Sequence, residues 1–131
     1  MTSPVDYPAE DHLVFVYGTL MRGYENHPFI EGQRFLGEAR TRPGYRLHQL
    51  TGYPGMVVHP GDAIGIPGEL WAVTEACLRE LHRLEGVNVG LYAYEPVRLQ
   101  PPFEHLPTFT YLYLPGTLGR PVIEGGWTGG T

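Results

Sequence analysis

The chemistry open to this chain is narrowed first by what it lacks. It contains no lysine, so Schiff-base chemistry and the phosphate-binding lysine of a P-loop are unavailable. Its one serine is Ser3, its one cysteine is Cys77, and its aspartates are Asp6, Asp11 and Asp62. A working group must therefore come from Glu, His, Tyr, Thr or Cys77, and spacing singles out Glu85. Residues 74–85 carry the one long helical period of the chain. At about 100° per residue, Cys77, Leu78, Leu81 and Leu84 fall within an arc of about 120° that should face a core. Glu85 falls inside that arc, roughly 20° from Leu78, while Glu75, Arg79 and Arg83 lie opposite and Glu80 and His82 flank it. A carboxylate on the buried side is costly unless it is paired or its pKa rises. A raised pKa is what a general acid/base near neutrality requires. A helix-terminal glutamate can also turn outward to water, because helix ends are loosely defined. The wheel makes Glu85 a candidate and no more.

The second candidate is the Tyr17-Gly18-Thr19-Leu20 loop that leaves the first apolar run. Backbone N–H groups in such a loop can converge on an anion or a developing oxyanion, and glycine permits close approach, although a plain turn has the same composition. Gly18 to Gly23 has P-loop spacing, but Tyr24-Glu25 stands where Lys-Ser/Thr is needed. The six histidines show no metal-ligand spacing, so no metal site is expected, and the His82/Glu85 pair three apart reads as a surface contact. Cys77 on the apolar stripe reads as a small core residue. Tyr17, Tyr92, Tyr94, Tyr111 and Tyr113 sit in or beside strands, where core packing is the default and a pocket-lining hydroxyl the alternative.

These residues need a frame to hold them. Residues 13–17 are apolar throughout, the pattern of a strand buried on both faces. Further strands are expected over 34–42, 44–50, 56–59, 67–73, 92–99 and 108–114, with one helical turn near 26–31. Thr74 is placed to cap the helix and Gly86 to end it. Six or seven short strands with one main helix point to an α+β domain whose sheet curls toward a small mixed barrel. The 131 residues suffice for one core, expected over 12–131 after a flexible lead-in at 1–11. The 18 glycines and 13 prolines follow no period, as in a turn-rich fold. A formal net charge of −5 without a basic run argues against nucleic acid as a partner. A single cysteine excludes an intrachain disulfide and reads as cytoplasmic, and the acidic N-terminus lacks the basic start of a secretory signal. The longest apolar run, 13–17, is far too short to span a membrane.

The motifs in order resemble the γ-glutamylcyclotransferase-like family, and especially its γ-glutamylamine branch. Phe15-Val16-Tyr17-Gly18-Thr19-Leu20 with Arg22-Gly23 and Asn26-His27 is similar to that family's first strand and glycine loop. Gly68-Glu69-Leu70-Trp71 resembles its G-E-[LIV]-[YW] strand, and Leu81-His82-Arg83-Leu84-Glu85-Gly86 followed by Leu91-Tyr92 its L-D-x-x-E element. Tyr111 to Tyr113 and Ile123-Glu124-Gly125-Gly126-Trp127 resemble its closing strand and tail. The resemblance implies a small α+β barrel and a cofactor-independent enzyme. Its substrate would be a small-molecule γ-glutamyl amide, released as 5-oxoproline and a free amine. It implies Glu85 as catalytic acid/base, with Tyr17, Gly18, Thr19, Leu20, Arg22, Tyr92 and Tyr113 binding substrate.

Three positions depart from the family pattern. His82 replaces its usual aspartate, Tyr94 stands where arginine is frequent, and Gly126 stands where the tail often has aspartate. Two competing readings follow from the residues: a non-catalytic binding module on the same scaffold, and a hydrolase using Cys77. The leaving amine and the oligomeric state are not written in the sequence.

Overall fold

The computed structural model describes residues 11–129. The expected lead-in over 1–11 therefore lies outside the described residues except for Asp11. Eight strands and one α-helix follow in the order β1 His12–Val16, β2 Arg34–Arg40, β3 Tyr45–Gln49, β4 Pro54–Val58, β5 Pro67–Val73, α1 Glu75–Leu84, β6 Tyr92–Val97, β7 Thr108–Tyr113 and β8 Val122–Ile123. Single 3₁₀ turns cover His27–Phe29 and Val87–Val89. The first turn falls where one was expected. β8 has two residues and no periodicity to announce it, which is why the strand number exceeds the expected six or seven.

Five strands form one sheet in the order β2-β5-β1-β7-β6, and three form a second in the order β4-β3-β8. The apolar run of β1 lies at the centre of the larger sheet, antiparallel to β5 and parallel to β7. Its alternation then serves two cores. Val14 and Val16 pack with Cys77, Leu78 and Leu81 of α1. Leu13, Phe15 and Tyr17 pack with Leu47 and Met56 of the smaller sheet. A strand that feeds cores on both faces needs apolar residues wherever it reaches them, as Leu13 to Val16 do here.

The expected barrel is not found, because neither sheet closes. The edges of the larger sheet, β2 and β6, do converge at one end. There Thr41 and Leu99 form an isolated antiparallel bridge, flanked by Arg42 N–H to the Arg98 carbonyl (2.9 Å) and Gln100 N–H to the Arg40 carbonyl (2.8 Å). The ladder stops there, while β3, β4 and β8 pair among themselves. The sheet is thus curled but open.

The helix has the bounds its caps dictate. Thr74 Oγ1 accepts from the Cys77 N–H (3.2 Å), and the chain leaves through Gly86 at φ +65°. Cys77, Leu78 and Leu81 are its buried residues. No helix among the described residues is long and apolar enough to cross a membrane.

Candidate active site

Where β1 ends, the chain turns through residues 18–23 beneath the start of β4. A Cβ at Gly18 would stand 2.6 Å from Cγ of Pro54, so a side chain there would have to displace the ring that covers the loop. The loop carbonyls are engaged on its far side. Gly18 accepts from the Met21 N–H (3.0 Å), Thr19 accepts from the Asn26 N–H (2.9 Å), and the Leu20 carbonyl lies 3.0 Å from Nδ1 of His27. Asn26 also donates its side-chain amide to Thr19 Oγ1 (2.9 Å). The N–H groups of Gly18, Thr19 and Leu20, by contrast, meet no acceptor among the described residues. Unpaired backbone donors in a concave site are what an anion or an oxyanion requires.

Residues 18–20 line a cavity of about 250 Å³ together with Tyr17, Tyr92 and Glu85. Glu85 reaches it as the C-terminal cap of α1, carried there by the apolar stripe that docks the helix on the sheet. Burial lifts its carboxyl from 4.5 to about 7. No cation is close enough to reverse that effect, so near neutrality the group is divided between acid and carboxylate.

The phenols of Tyr17 and Tyr92 are oriented by backbone from other strands. Tyr17 donates to the Tyr111 carbonyl (2.6 Å) and accepts from the Met56 N–H (3.2 Å). Tyr92 donates to the Pro54 carbonyl (2.8 Å). Burial pushes both phenols far above their ordinary value, seconded by the Glu85 charge at Tyr17 and by Tyr17, then Glu85, at Tyr92. Both stay neutral, with their protons committed to carbonyls; the Tyr17 oxygen is already occupied by the Met56 N–H, whereas the Tyr92 oxygen retains its acceptor capacity.

Two residues expected to bind substrate do not line the cavity. Arg22 is drawn away by Glu69, a β5 residue 7% exposed, which accepts from Arg22 Nε (3.1 Å), the Arg22 N–H (3.2 Å) and the Trp71 indole (3.1 Å). The guanidinium also lies 3.9 Å over the Phe35 ring. Arg22 is thus an anchor for the loop. Tyr113 sits behind the wall, edge-on to Tyr92 at 5.5 Å and against Gly55, where an added Cβ would come within 2.8 Å of its ring.

The cavity in turn contains residues that the sequence did not place among the substrate-binding set: Glu25, Tyr53, Pro54, Leu84, Leu91 and Tyr111, the last offered there only as an alternative to core packing. Tyr53 and Pro54 come from the chain entering β4, and no local pattern places them beside β1. The departures from the family pattern also find a setting. His82 and Tyr94 meet edge to face at 4.7 Å, and His82 Nδ1 lies 2.9 Å from the Tyr111 hydroxyl. The family's usual acid and its frequent base thus give way to two rings in contact. Desolvation lowers the pKa of His82 and so favours its neutral ring, whose tautomer sets which way the bond with Tyr111 runs. Gly126 adopts φ +101°, and a Cβ there would stand 2.5 Å from Pro67 Cγ. The Cys77 thiol is buried, 3.5 Å from the Phe29 carbonyl, with its pKa raised by desolvation, the reverse of an activated nucleophile. No cluster of three His, Cys, Asp or Glu side chains suited to a metal ion occurs among the described residues.

A family model described as "Gamma-glutamyl cyclotransferase, AIG2-like" matches residues 14–129. Human gamma-glutamylaminecyclotransferase is 35% identical over 98 residues, covering 67% of this chain and 61% of that protein. A Vibrio cholerae protein provisionally named a gamma-glutamylcyclotransferase is 42% identical over 78 residues, 60% of this chain and 65% of its own length. The matched stretch thus spans from half to just under two thirds of the length of curated relatives such as those from Vibrio cholerae, Arabidopsis thaliana and Drosophila melanogaster. The crystal structure of an AIG2-like protein from mouse superposes with a TM-score of 0.77 at 26% identity, covering 91% of this chain and 89% of that one.

Proposed function

Because the chain belongs to the gamma-glutamyl cyclotransferase, AIG2-like family, we propose that it cleaves γ-glutamyl amides by cyclisation, with Glu85 as general acid/base. The observation that carries this reading is a carboxyl lifted to about 7 in the same cavity as three loop residues whose N–H groups meet no acceptor among the described residues.

In this reaction the substrate's α-amine nitrogen bonds to its own γ-carbonyl carbon, and the bond from that carbon to the leaving nitrogen breaks. The products are 5-oxoproline and a free amine, and no cofactor or water is consumed. Because closure is intramolecular, holding the reactive rotamer supplies much of the acceleration. The α-amine is protonated near neutrality and cannot attack. Ionised Glu85 takes one proton from the ammonium and returns it to the departing nitrogen; the attacking nitrogen gives up a second proton as the lactam forms, which ends on the released amine as its ammonium, so the carboxylate is regenerated and the protons balance. A pKa of about 7 suits both transfers.

The cavity is polarised to match. The oxygen of Tyr92, its proton committed to the Pro54 carbonyl, receives the α-ammonium beside Glu85, with Tyr17 held next to it. The N–H groups of Gly18, Thr19 and Leu20 receive the α-carboxylate or the tetrahedral oxyanion. Arg22 serves by fixing the loop through Glu69.

The test is 5-oxoproline release from a panel of γ-glutamyl amides by wild type and by Glu85→Gln. Wild type turns over at least one amide, and the variant loses about 10²–10⁴-fold in kcat, the usual contribution of a general acid/base. A folded Glu85→Gln protein that keeps more than about a tenth of the wild-type rate removes Glu85 from this role.

A further inference from the structure

The ionisable side chains around the cavity are of one sign. Two carboxylates line it, Glu25 and Glu85, with Tyr17, Tyr53, Tyr92 and Tyr111, and no arginine or histidine is among the lining residues. The nearby arginines are engaged elsewhere, Arg22 with Glu69 and Arg83 with Glu80. Glu85 is committed to the reacting atoms. Glu25 is not: it is exposed and has no ion pair with any described residue.

Its backbone is nevertheless fixed at the rim. The Tyr24 N–H donates to the Met21 carbonyl (3.1 Å), and Asn26 is tied to Thr19 by two bonds of 2.9 Å. The Tyr24 ring packs 5.0 Å from that of Trp127. A carboxylate whose backbone is tied on both sides by such bonds acts on whatever leaves the cavity at that point. A glutamyl unit that closes on itself keeps its α-amine and its γ-carbonyl near Glu85. The part of the substrate left to reach an exposed rim is the leaving amine.

We propose that Glu25 is a specificity-determining residue that selects γ-glutamyl amides whose leaving amine carries a second positive charge and no carboxylate. The inference rests on the cyclotransferase reading above. A cationic tail finds Glu25 unpartnered. A tail ending in a carboxylate meets a like charge with no cation in the lining to offset it. Because Glu25 is solvated, the preference is moderate and weakens with salt.

The experiment compares three γ-glutamyl amides of matched length whose leaving amines are diaminobutane, pentylamine and γ-aminobutyrate. The readout is kcat/KM for 5-oxoproline release at low and high salt. Wild type favours the cationic over the neutral amide by about five-fold and disfavours the anionic one by a similar factor, with both ratios compressed at high salt. Glu25→Gln, an exposed isosteric change, brings the cationic and neutral amides to within about two-fold of one another. Equal kcat/KM for the three amides in wild type overturns the inference alone, as does a cation preference that survives Glu25→Gln. No 5-oxoproline from any amide overturns the cyclotransferase reading and this inference with it.

Discussion

Replacing Glu85 by glutamine is expected to stabilise the protein at alkaline pH in the same variant that loses turnover. Burial lifts this carboxyl from 4.5 to about 7. At about 1.4 kcal/mol per pH unit, that gap corresponds to roughly 3 kcal/mol. The folded-state pKa lies above the unfolded one, so the unfolded chain ionises first. The favourable contribution is intact below 4.5 and is lost as pH rises through about 7. Glutamine keeps the shape of the protonated acid and carries no charge to desolvate. Urea unfolding of wild type and Glu85→Gln at about pH 5 and about pH 8.5 isolates the effect. With about 1–3 kcal/mol per molar urea for a small protein, the variant's midpoint advantage should grow by about 1–3 M between the two conditions. If the difference between the two proteins is the same at both pH values, Glu85 ionises as it would in water. The argument that it is poised for acid/base work then fails, whatever its place in the cavity.

Four further substitutions test the framework of the site. Gly18→Ala drives a methyl into Pro54, and overpacking of this kind typically costs about 1–3 kcal/mol; thermal denaturation should show the loss and kinetics a raised KM, and an unchanged melting temperature contradicts the tight passage. Arg22→Ala leaves the Glu69 carboxylate with the Trp71 indole and a backbone N–H as its partners, at a cost of about 1–3 kcal/mol. KM should rise as the loop loosens, and a variant that loses kcat with no loss of stability would return Arg22 to direct substrate contact. Tyr111→Phe and His82→Ala, alone and combined, should show a coupling of about 0.5–1.5 kcal/mol in a double-mutant cycle of unfolding; additive effects would mean that the 2.9 Å contact contributes nothing.

The parts of this site legible in the sequence are those set by local rules. The helix bounds followed from Thr74 and Gly86, and the position of Glu85 from the spacing of Cys77, Leu78, Leu81 and Leu84, because a helix repeats its faces at fixed intervals. The central place of β1 followed from the unbroken apolar run over 13–17. The parts not legible depend on contacts between distant segments. Closure of a sheet turns on whether its edge strands find each other, and β2 and β6 meet through one bridge that no pattern in either announces. Likewise Arg22 sits in the glycine-loop motif, yet its partner Glu69 lies 47 residues away in another motif. A shared motif does not distinguish a residue that touches the ligand from one that holds the loop.

The same limit governs the polarity of the cavity, on which its chemistry depends. The sequence shows Tyr17 and Tyr92 as two hydroxyls, each able to donate or accept. Their direction is decided by the carbonyls of Tyr111, in β7, and Pro54, at the start of β4, which take both protons. Around Glu85 the cavity therefore offers acceptors, while its donors are the backbone N–H groups of the glycine loop. A molecule with an ammonium and a carboxylate on the same carbon can satisfy both sets in one orientation, and reversing it places like against like. If the proton of Tyr17 or Tyr92 pointed into the cavity instead, the ammonium would be repelled from Glu85, the group that must deprotonate it. Under the proposed reaction, the orientation of two phenolic protons by strands from both sheets is a condition for Glu85 to act as a base on a γ-glutamyl amide.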